Sequence, residues 1–91
     1  MTKKILKYKI PIVDVSTVDL PIGSQILSAV EQAETIVMYA IVNTEITDTR
    51  KVTIRIIGTG NPIEESMSGF KFIGTVNMHK GLFMWHVFVK E

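Results

Sequence analysis

β-Branched residues dominate this sequence and limit the folds that it can form. The 91 residues include 13 isoleucines, 10 valines and 9 threonines, so 32 positions are branched at Cβ. Branching at Cβ restricts side-chain rotamers in a helix but suits the pleated surface of a sheet. The sequence therefore predicts an all-β protein.

The length predicts a single domain over residues 1–91. A chain of this size has a thin core, because it buries only about 60–65% of the surface that its unfolded form exposes. The absence of cysteine excludes disulfides, cysteine-ligated metal sites and thiol nucleophiles. Ten basic and nine acidic residues give a net charge of +1, which argues against a nucleic-acid-binding protein with a broadly basic surface.

Alternation of apolar and polar residues predicts six strands, at residues 3–10, 15–20, 35–43, 51–57, 70–78 and 82–90. Residues 24–34 are ambiguous. Ser24 can cap a helix with one apolar face, or residues 25–31 can form a strand that turns at Ala33 and Glu34. The expected architecture is a small antiparallel sandwich, or a partly open barrel, of about six or seven strands.

Two of the predicted strands, residues 35–43 and 82–90, are apolar on both faces. A sheet with one face in water does not need a second apolar face. The pattern predicts a homo-oligomer in which a subunit interface adds to the thin core, and a closed monomeric barrel is the alternative.

The sequence offers little for catalysis or metal binding. His79 and His86 are seven residues apart and fit no metal-binding motif. Glu64 and Glu65 are adjacent, so they point to opposite sides of an extended chain and do not form a facing pair of carboxylates. No nucleophile elbow or P-loop is present. We therefore expect a protein without enzymatic activity, cofactor or metal.

Nothing in the sequence predicts a membrane or secreted protein. The longest apolar run, residues 36–42, is far shorter than the roughly 20 residues of a membrane-spanning helix. Lys7, Lys9 and Pro11 interrupt the apolar stretch that a signal peptide would need. The expected location is the cytoplasm.

The strongest candidate for a binding element is the loop Gly58-Thr59-Gly60-Asn61-Pro62. Its glycines let backbone amides approach an anion, and Thr59 and Asn61 add polar side chains; a tight turn after a strand is the alternative. Arg55 lies three positions before this loop. Its guanidinium can bind a phosphate or a guanine edge through two hydrogen bonds, and a surface arginine is the alternative.

Several aromatic residues are candidates for contact with a nucleotide base. Tyr8, Tyr39 and Trp85 can stack on a base, although packing in the core or in an interface is the favoured explanation for each of them. His86 lies in the last predicted strand, where it is either a ligand contact or a hydrogen-bonded core histidine. The residues alone leave both interpretations open.

Five segments, in this order along the chain, resemble a widespread family of small phage proteins. They are Lys7-Tyr8-Lys9-Ile10, Leu20-Pro21-Ile22-Gly23-Ser24-Gln25-Ile26-Leu27, Ile56-Ile57-Gly58-Thr59-Gly60-Asn61-Pro62-Ile63, Phe72-Ile73-Gly74-Thr75-Val76 and Trp85-His86-Val87-Phe88. The family has a strand at residues 24–32, which favours a strand here. It often has histidine at the position of Asn61, which puts a loop contact by residue 61 in doubt, and tryptophan at the position of Tyr39.

The resemblance implies a phage sponge that defeats cyclic-oligonucleotide (CBASS) defence by binding a cyclic dinucleotide without cleaving it. Such a sponge acts as a small homo-oligomer, a dimer or tetramer, in the cytoplasm of the infected bacterium, with no membrane, DNA or RNA partner. The alternative is a module that binds a host protein or another phage protein. The expected ligand contacts are Tyr8, Arg55, Gly58, Thr59, Gly60, Asn61, Trp85 and His86.

Overall fold

The computed structural model describes residues 2–91 and is all-β, so Met1 lies outside the described residues. All pairings between its strands are antiparallel. They form one sheet in the order β1-β4-β3 and a second in the order β2-β5-β7-β6. The strands are β1 (Lys3–Ile10), β2 (Val15–Pro21), β3 (Gln25–Gln32), β4 (Thr35–Asn43), β5 (Thr49–Gly58), β6 (Lys71–Met78) and β7 (Phe83–Lys90).

The ambiguous segment, residues 24–34, is a strand and a turn rather than a helix. Its turn lies at Ala33 and Glu34, whose φ angles are 51° and 63°. Positive φ at both central residues matches the twist of a hairpin, although it is costly for residues other than glycine. Local hydrogen bonds hold the turn, because the backbone N–H of Glu34 donates to the Glu31 carboxylate at 2.7 Å and the Thr35 hydroxyl donates to the Gln32 carbonyl at 2.6 Å.

The core lies between the two sheets and is built from alternate residues of each strand. From β4, the inward side chains are Ile36, Met38, Ala40 and Val42, and all four are buried. The second sheet contributes inward residues of all four of its strands, including Leu20, Ile54, Val76, Val87 and Val89. Both faces of β7 are apolar in sequence, and the structure selects the face of Val87 and Val89 for the core.

The two sheets meet along one side of the sandwich, where β3 lies against β6. A Cβ atom at Gly74 in β6 would collide with the backbone carbonyl oxygen of Ala29 in β3. Both strands have a bulge near this contact, between Ile26 and Ser28 in β3 and between Phe72 and Gly74 in β6. Bulges bend a strand and increase its twist, which allows two sheets to converge. The architecture is a sandwich of seven strands that is closed along this side.

The opposite edge of the first sheet is formed by β1, which is poorly covered. Of its eight residues only Ile10 is buried. In the central strand β4, the outer face is covered in part, since Val37 is 2% exposed while Tyr39 and Ile41 are half-buried. Among residues 2–91 there is no helix that is long and apolar enough to cross a membrane.

Candidate functional site

Arg55 lies on the outer face of the second sheet, as the alternation of β5 predicted. Its neighbours Ile54 and Ile56 point into the core and are buried. Opposite Arg55 in the register are Val15 of β2 and Phe88 of β7. This position, in the middle of a strand that is paired on both sides, holds the backbone of Arg55 rigidly.

The guanidinium of Arg55 is held in place, but most of its hydrogen-bonding capacity is unused. Its Nη1 donates to the sulfur of Met67 at 3.0 Å, and its Cζ lies 5.9 Å from the centre of the Phe70 ring. Thioether sulfur is a weak acceptor. The Nε atom is buried without a hydrogen-bond partner, and no carboxylate of residues 2–91 forms an ion pair with this side chain. Arg55 as a whole is half-buried, so an acceptor supplied by a ligand can reach only guanidinium N–H groups other than the buried Nε.

The glycine-containing loop that follows β5 is a tight turn. The N–H of Thr59 donates to the carbonyl of Met84 at 3.2 Å, and the N–H of Asn61 donates to the carbonyl of Gly58 at 3.1 Å. Gly60 has φ of 86°, which residues with a Cβ rarely adopt. Because two of its amides already have partners within the protein, this loop does not present the row of free amides that a phosphate nest requires.

An open cleft of about 360 Å³ lies beside Arg55. Besides Arg55 it is lined by Asn61 and by three exposed carboxylates, those of Asp14, Glu64 and Glu65. One guanidinium among three carboxylates gives a negative surface, which repels a phosphate but accepts hydrogen bonds from N–H groups. Among residues 2–91, no three histidine, aspartate or glutamate side chains are grouped so that they could hold a metal ion.

Sequence reasoning missed the carboxylates of this cleft. Asp14 stands alone between two predicted strands, and the adjacent pair Glu64 and Glu65 is not expected to form facing carboxylates. All three are exposed, and the fold places them around Arg55. The sequence carries no signal for Asp14, because only the pairing of the next residue, Val15, with Arg55 in the folded sheet brings it to the cleft.

His86 lies on the same outer face and connects the loop to the sheet. Its Nε2 is 2.7 Å from the hydroxyl oxygen of Thr59, and its Nδ1 is 3.0 Å from the hydroxyl oxygen of Thr75. In either neutral tautomer, one hydroxyl donates to the bare ring nitrogen and the other accepts from the ring N–H. Both ring nitrogens are therefore occupied, and His86 positions Thr59 at the start of the loop.

None of the aromatic candidates Tyr8, Tyr39 and Trp85 lines the cleft. Trp85 faces inward, stacks on Phe83 with ring centres 5.9 Å apart, and contacts the core. Tyr8 packs against the same core from the first sheet. Within one chain, Arg55 and these two rings lie on opposite faces of the second sheet. The structure thus places Arg55 and the hydrogen-bonded pair Thr59 and His86 on one outer face. Asn61 lines the cleft beside Arg55, but its side-chain amide lies over the inward side of Gly58, near the ring of Trp85.

Comparison with protein families gives a match over the whole chain. No curated protein and no solved structure matches the chain. A family model described as a domain of unknown function, DUF7352, matches residues 1–91. That description mentions no source, ligand or activity, so the phage origin and the sponge function stay predictions. The match covers the whole sequence, and the chain therefore belongs to the DUF7352 family.

Proposed function

We propose that this protein is a phage sponge that binds a cyclic dinucleotide immune signal in the cytoplasm of the infected bacterium and does not cleave it. The observation that supports this most is the guanidinium of Arg55, which stands at an open cleft without an oxygen acceptor of its own. The cleft volume, about 360 Å³, is within the range of about 300–1,000 Å³ that is usual for small-molecule sites.

The charge of the cleft favours contact with a guanine base over contact with a phosphate. Guanine presents two acceptors, O6 and N7, which match the donors of an arginine, and it carries an amino group that a carboxylate can accept from. Arg55 supplies the donors, while Asp14, Glu64 and Glu65 supply the acceptors. Adenine places an amino donor beside N7, so it opposes the guanidinium. The proposed signal therefore contains guanine.

The small size of the cleft fits one half of the ligand. A cyclic dinucleotide with identical bases has two-fold symmetry, and a two-fold dimer presents every contact twice. We propose that two copies each bind one guanine of the same ligand. The second copy also buries further apolar surface, which a single chain with a thin core is expected to need.

Sequestration requires binding alone. Each bound signal molecule lowers the free concentration that the host effector senses, so defence stays inactive while the sponge is in excess. The sequence shows no motif for breaking a phosphodiester, and this mechanism does not need one.

Binding is tested with folded, nucleotide-free protein and three ligands: cyclic di-GMP, cyclic GMP-AMP and cyclic di-AMP. At 100 times its dissociation constant, a ligand specific for the folded state adds about 2.7 kcal/mol to the free energy of unfolding. For a domain of this size that raises the Tm by about 10–20 °C. We expect the largest rise with cyclic di-GMP and the smallest with cyclic di-AMP, and chromatography after overnight incubation should recover the ligand intact. No rise with any of the three would contradict the proposal.

The variant that tests the site is Arg55→Ala, with Lys51→Ala as its control on the same strand. Loss of a charge-assisted contact of about 1.5–3 kcal/mol lowers affinity by about 10–100-fold. Isothermal titration calorimetry should show this loss for Arg55→Ala and none for Lys51→Ala. Equal affinities of the two variants would remove Arg55 from the site, and tighter binding of cyclic di-AMP than of cyclic di-GMP would refute the guanine contact.

A further inference from the structure

A second surface, on the other sheet from Arg55, is the free edge of β1. The strand pairs with β4 along one side, and no other strand of residues 2–91 pairs with it along the other. Its outward backbone N–H and C=O groups are therefore available to an added strand.

This edge is strongly basic. Four of the eight residues of β1 are lysines, at positions 3, 4, 7 and 9, and none is acidic. All four are exposed, and none forms an ion pair with another of the described residues. The whole chain has a net charge of +1, so the charge on this edge is local. Lysines on a free edge also discourage pairing between identical edges.

The edge also exposes apolar side chains. Ile5 on the outer face is 61% exposed, and Leu6 on the inner face is 38% exposed. Tyr8, also on the inner face, is half-buried. The register with β4 assigns these faces, because Leu6 and Tyr8 are opposite the buried residues Ala40 and Met38. An added strand would therefore meet mainly lysines on one face and mainly apolar side chains on the other.

We propose that the free edge of β1 binds an extended, acidic segment of another protein as an added β-strand. In an antiparallel pair, side chains that are directly opposite lie on the same face, and opposite charges there stabilise the pairing. An acidic strand places its carboxylates against the lysines of the outer face. A second copy of β1 places lysines against lysines: with Leu6 at the two-fold axis, Lys3 of one copy is opposite Lys9 of the other. The occupant is thus a different, acidic chain.

The probe is a fluorescent peptide as long as β1 with alternating valine and glutamate, and a valine and lysine peptide is its counterpart. We expect the acidic peptide to bind in fluorescence anisotropy and the basic one not to. NMR amide exchange should slow at the residues of β1 whose N–H groups point to the free edge. Absence of binding would overturn the proposal, and so would binding that leaves amide exchange in β1 unchanged, because the added strand requires those amides.

Two double variants locate the charges. Lys7→Glu with Lys9→Glu should weaken binding of the acidic peptide by tenfold or more, and Lys7→Gln with Lys9→Gln should weaken it less. Lys51→Glu with Lys71→Glu makes the same charge change on the other sheet and should leave affinity unchanged. Equal losses in both charge reversals would show a general attraction to the protein and would overturn the proposal.

Two further measurements exclude other occupants. A single-stranded thymidine oligonucleotide should bind more weakly than the acidic peptide at the same salt concentration. Tighter binding of the oligonucleotide, with the same loss in the Lys7 and Lys9 variants, would overturn the proposal in favour of nucleic acid. Protection of the β1 edge amides without peptide, lost on dilution, would overturn it in favour of a second copy.

Discussion

The two sides of the sandwich are built in opposite ways. Along one side, β3 and β6 are so close that Gly74 has no room for a Cβ atom against the backbone of Ala29. Along the other, β1 has one buried residue out of eight, and the strand that follows it, β2, belongs to the other sheet. The difference shows that close packing between the sheets is concentrated on one side of this small sandwich. One side holds the sheets together, and the other exposes a strand edge, apolar side chains and unpaired charge.

The largest expected effect is the difference in stability loss between a substitution in the packed centre and one at the exposed edge. Met38 is fully buried and Leu6 is partly exposed, although both point to the same side of the first sheet. Met38→Ala should lower the free energy of unfolding by about 2–5 kcal/mol, because it leaves a cavity. Leu6→Ala should cost less than about 1 kcal/mol, because its side chain is already in contact with water. Urea unfolding of the two variants measures this difference, and similar losses would contradict the comparison.

A smaller effect is expected where the sheets converge. In Gly74→Ala the new methyl group meets a backbone carbonyl, which cannot move away as a side chain can. The free energy of unfolding should fall by about 1–3 kcal/mol, as is usual for overpacking. Lys71→Ala, at an exposed position of the same strand, is the control and should cost less. A stability of Gly74→Ala equal to that of the parent protein would show that the two sheets are free to separate here.

The smallest expected effect concerns the opening of β1 in the unmodified protein. Amides of β1 that bond to β4 should exchange by local opening, at a lower free energy than amides of β5, which is paired on both sides. Native-state hydrogen exchange followed by NMR measures both. Equal protection in β1 and β5 would mean that a partner or a second copy covers the edge. The contrast between a packed side and an exposed side of the sandwich would then hold for the isolated chain and not for its assembly.

Most of the strands could be predicted from the sequence, because each is a run of alternating or apolar residues between turn residues. β4 begins and ends at the predicted residues, 35 and 43, and β1 ends before Pro11, which lacks a donor for the ladder. β5 is longer than predicted at both ends, since Thr49 and Arg50 pair with β2 and Gly58 pairs with Trp85. β3 could not be distinguished from a helix, because its apolar spacing fits both. Only its pairing with β4 in the folded protein selects the strand.

The candidate site was predictable one residue at a time but not as an arrangement. Alternation along β5 gave the outward direction of Arg55. It did not show that Asp14 and Glu64, from loops far apart in the sequence, lie beside it, nor that Met67 covers part of its guanidinium. Trp85 and His86 are consecutive and therefore point to opposite faces, and neither of them lines the cleft.

The sequence by itself determined the all-β class and the position of nearly every strand, and in several strands it grouped the residues that share a face. These follow from local preferences: β-branched side chains favour extended backbone, and alternation fixes which residues share a face. The tertiary structure alone decided how the strands divide between two sheets, that β1 and β2 are joined in sequence but not in a sheet, and which charges surround Arg55. Those depend on pairings between residues distant in the chain, where packing and hydrogen bonding of the whole fold select the partner.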